Sequence, residues 1–366
     1  MKISILVPVY KEPKYFADLA RKMLNDSYSN REIIAVVDGD MNDEIKNVLM
    51  PFKKKIKIIY PGTHSGKALA LNNAVKSLKT DILLFFDNDI MLPDNPDFLS
   101  ILSEKMKTHD VVEMPKSVIV ESPYSAMIGY EYLGFAMACS VFSLIANRSP
   151  GVIGAAFAVK KDLFDKLGGF RQVVHEDGDF GARAFRLSAK YSYCRRLKVE
   201  TSMPNNLSDW ITQRKRWTLI NVLWFKDNFL YLMMRIFRQP SLIPAFFIIV
   251  LPAVVSFLLF YLFKHLKMSY LIHIAFMVTQ PFKFISGILF WFTHYTMITE
   301  GLTSFILGFM ISALTYFGFS RFMKFRFNIL EYFLFYYLYM PFLVVVNVIM
   351  FILLIRKKKI HIDWKV

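Results

Sequence analysis

Three short clusters in this chain carry residue types that can do chemistry. The hydrophobic run Ile82-Leu83-Leu84-Phe85-Phe86 leads straight into Asp87-Asn88-Asp89. A buried strand that ends in two carboxylates two residues apart offers a rigid, open-ended site for a hard cation. His175-Glu176-Asp177 supplies further carboxylates, and a hydroxyl that must lose its proton as it attacks needs one such base. Gln213-Arg214-Lys215-Arg216-Trp217 sets guanidinium groups that can grip a diphosphate beside a ring that can stack. Together they point to chemistry on a nucleotide-activated sugar.

The elements that must position these residues alternate in type. Strand-like runs at 3–9, 32–37, 56–60 and 82–86 are separated by helical patterns at 15–25 and 66–79. That order implies a parallel sheet with ligands gathered at the carboxyl ends of its strands. Three strand ends carry candidate groups: Pro8-Val9-Tyr10, Asp38-Gly39-Asp40 and Asp87-Asn88-Asp89.

Composition places the chain at a membrane. Mean hydropathy is +0.36, and 36 of the 366 residues are Phe, too apolar for an ordinary soluble protein of this length. Residues 1–182 are nearly neutral, with 22 basic and 23 acidic side chains, whereas 183–238 hold 12 basic and 3 acidic. Positive charge thus collects just before the first apolar segment, where anionic headgroups attract it. Nucleic acid is the rival reading of the pI near 9.6, but no nucleic-acid motif accompanies the charge, and no nucleic-acid partner is expected. Cys139 and Cys194 form neither a disulfide framework nor a metal spacing.

Apolar segments at 242–263, 270–292, 302–319 and 329–355 each approach the ~20 residues a bilayer requires. Four spans would return Arg356-Lys357-Lys358-Lys359 to the cytoplasm. The segment 218–237 mixes Trp224, Phe225 and Phe229 with Lys226, Asp227 and Arg235, a pattern suited to a helix in the headgroup plane. The stretch 124–145 is apolar apart from Glu131 and a few other polar residues, and fits either the bilayer surface or the underside of the domain. The expected domains are 1–217 (catalytic), 218–239 (amphipathic interface helix), 240–356 (about four membrane helices) and 357–366 (cytosolic tail). The N-terminus has too short an apolar run for a signal peptide, so the catalytic domain is expected in the cytoplasm of a multi-pass cell-membrane protein.

On these motifs, residues 1–217 resemble the family-2 glycosyltransferases. The resemblance implies an α/β GT-A (Rossmann-like) cytosolic catalytic domain, followed by amphipathic interface helices and a C-terminal α-helical transmembrane bundle. It implies that Pro8, Tyr10 and Glu12 of the opening strand and loop lie beside the nucleotide base, with Asp38 on the base and Lys67 near the nucleotide. Gly39-Asp40 departs from the family's usual Asp-Gly-Ser. Asp87-Asn88-Asp89 matches the Asp-x-Asp motif, with Asp89 and Asp87 implied as ligands of Mg²⁺ or Mn²⁺ and Asp87 also on the nucleotide side. His175-Glu176-Asp177 is similar to the Thr-Glu-Asp motif and implies Asp177 as catalytic base, with Glu176 and Gly154 on the acceptor side. Gln213–Trp217 matches Gln-x-x-Arg-Trp, which implies Gln213 and Trp217 at the acceptor, with Arg214 and Arg216 on the diphosphate. One base and no second nucleophile favour direct displacement with inversion.

The implied partners are a nucleotide-sugar donor (UDP-linked), membrane lipids and a carbohydrate or lipid-linked acceptor. The leading reading is extension of a polysaccharide, in the manner of the cellulose and hyaluronan synthases. Transfer of one sugar to a polyprenyl phosphate or glycolipid competes with it, and a non-catalytic membrane scaffold or transporter is the alternative from another class.

Overall fold

A computed structural model describes residues 1–244 and 283–355. The chain divides into two compact units, Met1–Ala245 with Phe342–Val366, and Phe246–Pro341. In the first, the strands are β1 (Ile3–Val9), β2 (Arg31–Val37), β3 (Lys57–Ile59), β4 (Ile82–Phe86), β5 (Ile90–Met91), β6 (Val111–Glu113), β7 (Lys116–Val118), β8 (Ala156–Lys160), β9 (Tyr191–Tyr193) and β10 (Val199–Thr201). Its main helices are α1 (Phe16–Asn25), α2 (Asp43–Leu49), α3 (Lys67–Lys76), α4 (Phe98–Thr108), α5 (Pro123–Val141), α6 (Lys161–Lys166), α7 (Glu176–Arg186) and α8 (Leu207–Arg238).

Seven strands form one sheet in the order β3-β2-β1-β4-β8-β6-β9. The strands expected from the sequence, β1 to β4, are mutually parallel where they pair. The second half of the sheet is mixed: β8 runs antiparallel to both β4 and β6, while β6 and β9 pair in parallel. β5, β10 and β7 form a separate three-stranded sheet.

Central parallel strands are covered on both faces, so they read as unbroken hydrophobic runs. Their period of two then divides the core. Ile3, Ile5, Val7, Leu84 and Phe86 face α1 and α4. Leu6, Ile34, Val36, Leu83 and Phe85 face α3 and a cluster of phenylalanines. In that cluster Phe170 packs against Phe85, Phe164 and Phe180, with ring centroids 5.1, 5.2 and 5.4 Å away. Each such buried side chain contributes roughly 1.5–3 kcal/mol. The cluster ties the loop leading to α7 directly behind the end of β4.

Among the described residues three helices are long and apolar enough to cross a membrane: Pro123–Ala146, Phe305–Met323 and Ile329–Leu353. The first contains α5, half of which is buried against the first unit, where it covers β7. The second lies within α9 (Lys283–Met323), a single helix of 41 residues. The described parts of the expected segments 270–292 and 302–319 therefore share one uninterrupted helix; no proline falls between them, and Gly301 alone does not break it. α10 (Ile329–Leu334) and α11 (Met340–Ile355) are joined through a wide helical turn at Phe335–Tyr339. The expected segment 242–263 beyond its first three residues, and the tail 357–366, lie outside the described residues.

Candidate active site

The ends of β1, β2 and β4 open on one edge of the sheet, as the parallel order requires. Past β1, Glu12 is exposed and its carbonyl accepts from Asn88 Nδ2 at 2.8 Å, while Tyr15 N–H donates to the Asn88 carbonyl at 3.1 Å. The loop carrying Tyr10 and Glu12 is thereby bolted to the Asp87-Asn88-Asp89 loop. Past β2, Asp38 is buried and accepts from Ser65 N–H at 2.7 Å. His64 Nδ1 lies 3.1 Å from Asp38 Oδ2 but out of line for a hydrogen bond, so neither buried ring nitrogen has one. The His64 ring stacks on Tyr10 at 4.6 Å. Gly39, at φ +113°, completes this corner in a conformation that side chains resist.

Charge concentrates at the end of β4. Lys67, at the start of α3, lies 2.6 Å from Asp87 and 3.6 Å from Glu176. Burial works against its ammonium, but the carboxylates of Asp87 and Glu176 more than offset this, and its pKa is raised. Burial, then the neighbouring Asp87, pushes the Asp89 carboxyl up to about 6. Burial likewise pushes Glu176 up to about 7, with Asp177 adding to it and Lys67 opposing. Asp89 Oδ1 is buried with no hydrogen-bond partner. An orphaned carboxylate oxygen beside a second carboxylate fits a hard divalent cation, which prefers oxygen ligands and shares them with phosphates. Among the described residues no group of three or more His, Cys, Asp or Glu could hold a metal, so the remaining ligands would come from substrate and water.

Opposite this cluster stands Asp177, in the first turn of α7. Its Oδ2 accepts from Gly154 N–H at 2.6 Å and its Oδ1 from Gly178 N–H at 2.7 Å. Position 154 must be glycine, since a Cβ there would stand 2.6 Å from Asp177 Oδ2. Pro8, Lys67, Asp87, Gly154, Glu176 and Asp177 line one small cleft. Six of the expected site residues are thus brought together, from five separate stretches of chain. Asn72, on α3, holds the turn that leads to α7: it accepts from Phe170 N–H at 2.9 Å and donates to the Phe170 carbonyl at 2.7 Å.

The Gln213–Trp217 cluster lies on α8, which continues unbroken past residue 217 to Arg238. One stripe of this helix, at helical spacing, meets α5 and α7. Arg214 is buried and paired with Glu131 of α5 at 2.6 Å, with its guanidinium 4.5 Å over the Trp217 ring. Gln213 Oε1 accepts from Arg214 at 3.3 Å. Trp217 also tilts against Tyr132 of α5 at 6.1 Å. Further along, Trp224 and Asn228 bond to Gly178 and Arg186 of α7. Arg216 is half-buried and, among the described residues, in no ion pair. Phe225, Leu230, Met234 and Phe237 are exposed on the rest of the helix.

Arg214 is therefore engaged by Glu131, whereas Arg216 has no ion pair among the described residues. Sequence reasoning assigned no role to Glu131, although a single carboxylate in an apolar stretch is a signal that a buried cation must meet it. Trp224 was legible only as part of an amphipathic pattern.

Residues 4–167 match the family model described as Glycosyl transferase family 2. An uncharacterised glycosyltransferase of Rickettsia prowazekii is 25% identical over 196 residues, which cover 52% of this chain and 60% of that protein. The poly-beta-1,6-N-acetyl-D-glucosamine synthase of Staphylococcus epidermidis is 23% identical over 261 residues, 68% of this chain and 63% of that protein. The chain thus spans less than two thirds of the length of these relatives. Among solved structures, the mannosyltransferase PcManGT from Pyrobaculum calidifontis, in complex with GDP-Man and Mn²⁺, superimposes with a TM-score of 0.51 at 16% identity, covering 82% of this chain and 87% of that one. The N-terminal unit has a GT-A-like α/β fold, followed by helices.

Proposed function

We propose that this chain is an inverting membrane glycosyltransferase that moves a sugar from a nucleotide diphosphate donor, UDP-linked, onto a growing polysaccharide. The observation that carries this reading is the cleft that Lys67, Asp87 and Asp177 line together. Lys67 and Asp87 offer a site for diphosphate, and Asp177 presents a carboxylate that accepts hydrogen bonds from two backbone amides.

The acceptor hydroxyl oxygen attacks the anomeric carbon and passes its proton to Asp177. The bond from that carbon to the phosphate oxygen breaks, and its electron pair leaves on the nucleoside diphosphate. Attack opposite the leaving group inverts the centre. Lys67 exchanges part of its contact with Asp87 and Glu176 for phosphate oxygens, and Arg216 adds guanidinium donors. Asp89 and Asp87 would hold Mg²⁺ or Mn²⁺, which offsets the charge that develops on the departing phosphates. Tyr10 and Asp38 receive the base, and Trp217 forms a floor for the acceptor sugar.

The likeness to a poly-N-acetylglucosamine synthase supports a carbohydrate acceptor, and the long apolar helices support placement at a cell membrane. The basic excess in 183–238 supports a catalytic unit on the cytoplasmic side. The test is nucleotide diphosphate release by the purified protein in lipid, across a donor panel with Mn²⁺ or Mg²⁺ and with Asp177→Asn as blank. Release that needs Asp177 and disappears on chelation supports the reading. A product ladder then supports polymer extension, and a single organic-soluble product reassigns the acceptor to a lipid. Release equal in the blank removes Asp177 as base.

A further inference from the structure

The carboxylate of Asp177 is held by two backbone amides, and both belong to a seam where α7 lies directly on the chain around residue 151. Gly181 makes that approach possible: a Cβ there would stand 2.5 Å from the Val152 nitrogen and 2.7 Å from the Gly151 carbonyl carbon. The indole of Trp224, on α8, lies across the open side of the same seam. Its Nε1 donates to the Gly178 carbonyl at 3.1 Å. Its ring rests on bare backbone, since a Cβ at Gly178 would lie 3.1 Å from Cδ1 and one at Gly151 would lie 3.9 Å from Cζ2. A residue that bonds to the carbonyl of Gly178, whose own N–H holds Asp177, and covers the loop preceding Gly154 touches both segments that fix the carboxylate.

We propose that Trp224 is a positioning residue: it clamps the Gly151–Gly178 seam and so fixes the orientation of Asp177. The proposal rests on Asp177 as the base of the proposed transfer. Trp224 does not reach the cleft itself and acts through Gly178. Asn228, one turn on, accepts from Arg186 at 2.9 Å and donates to the Trp224 carbonyl at 2.8 Å, which anchors the same stretch of α8 to α7. Gln213–Trp217 and the clamp on Asp177 therefore sit on one rigid helix. A shift of α8 alters the acceptor floor and the base together.

The experiment compares the wild-type full chain in lipid with Trp224→Phe, which keeps an aromatic ring and removes the N–H. Hydrogen exchange and steady-state kinetics are read on the same preparations. The amides of 151–154 and 176–181 are expected to exchange roughly five- to tenfold faster in the variant, the value of one hydrogen bond, while β1 and β4 keep their protection. kcat is expected to fall about tenfold with the donor KM unchanged, since a misplaced base costs turnover rather than donor binding. Gly178→Ala pushes the seam apart from the other side and is expected to give the same pattern with Trp224 present. A ring that only fills space would lower stability while leaving kcat and the local exchange in place, and that result overturns the proposal. Unchanged exchange overturns the clamp whatever the turnover. Faster exchange with kcat unchanged upholds the clamp and overturns the reading of Asp177 as base.

Discussion

The candidate site residues are held by two different means, here called two walls. On one, Pro8 and Asp87, which line the cleft, and Tyr10, Asp38 and Asp89 beyond it follow the ends of parallel strands, whose register places them on a common edge. On the other, Asp177, which lines the cleft, and Arg214 and Trp217, which do not, ride on helices whose positions depend on packing at glycines, on buried ion pairs and on indole contacts. On the proposed function, the strand-end wall receives a donor whose phosphates and base are fixed in chemistry. The helical wall can be re-aimed by shifting a helix, and on the same proposal it receives the acceptor. Binding of the donor and turnover are thus expected to separate by wall.

The sharpest way to break that division is to strike each wall at its carboxylate. Asp177→Asn is expected to lower turnover by roughly 10²- to 10⁴-fold, the range for loss of a general base, with donor binding intact by calorimetry. Asp89→Asn is expected to weaken donor binding in the presence of Mn²⁺ and to leave binding in chelator unchanged. Equal loss of donor binding in both variants would remove the distinction between the walls.

A second test weighs the buried pair that holds the helical wall. Glu131→Ala leaves the Arg214 guanidinium, 3% exposed, with no carboxylate, and is expected to destabilise the catalytic unit by about 3–5 kcal/mol in denaturant unfolding. The double change Glu131→Met with Arg214→Met removes both charges and is expected to recover most of that loss. Activity that stays low in this stable double variant would assign Arg214 a direct part in binding diphosphate; restored activity would assign it to holding Trp217.

This contrast also explains what could be read before the structure. β1 and β4 were legible to the residue, because a strand buried on both faces must be a continuous apolar run, and the carboxylates that end it are local in sequence. The antiparallel β8 was not, since Ala156–Lys160 carries no mark of its direction, which is set by where the chain returns from α5. Pro8, Lys67, Asp87, Gly154, Glu176 and Asp177 were each named from local motifs, and the fold joins them in one cleft. Glu131–Arg214 and Trp224–Gly178 lie 83 and 46 residues apart, and no local pattern links such pairs.

Between the walls stand Lys67 and Glu176, and pH separates their contributions. The Glu176 carboxyl is pushed by burial up to about 7, from a usual 4.5. The folded state then binds a proton that the unfolded state has released, so this group subtracts stability as pH rises from about 4.5 to about 7, on the order of 3 kcal/mol in total. Glu176→Gln cannot ionise and lacks this slope. Thermal unfolding with chelator present should show the wild type losing stability relative to Glu176→Gln across that window, and no change in the difference above it. An opposite slope would mean that Lys67 holds Glu176 ionised, making the cluster a permanent anion site.

The smallest effect tests a second side chain of α3 that reaches across to the turn before α7. Asn72 stands on α3, five residues from Lys67, and brackets both polar atoms of the Phe170 backbone. Its Oδ1 also closes over Gly169, where a Cβ would approach to 2.5 Å. Asn72→Ala removes two hydrogen bonds and is expected to cost about 1–3 kcal/mol. Asn72→Asp keeps the acceptor for Phe170 N–H but sets a carboxylate against the Phe170 carbonyl, so it should cost at least as much despite its matching shape. If the bracket transmits donor-side order to α7, both variants lower kcat more than they raise the donor KM. If KM alone rises, α3 is ordered by the donor and the acceptor wall stands on the phenylalanine cluster by itself.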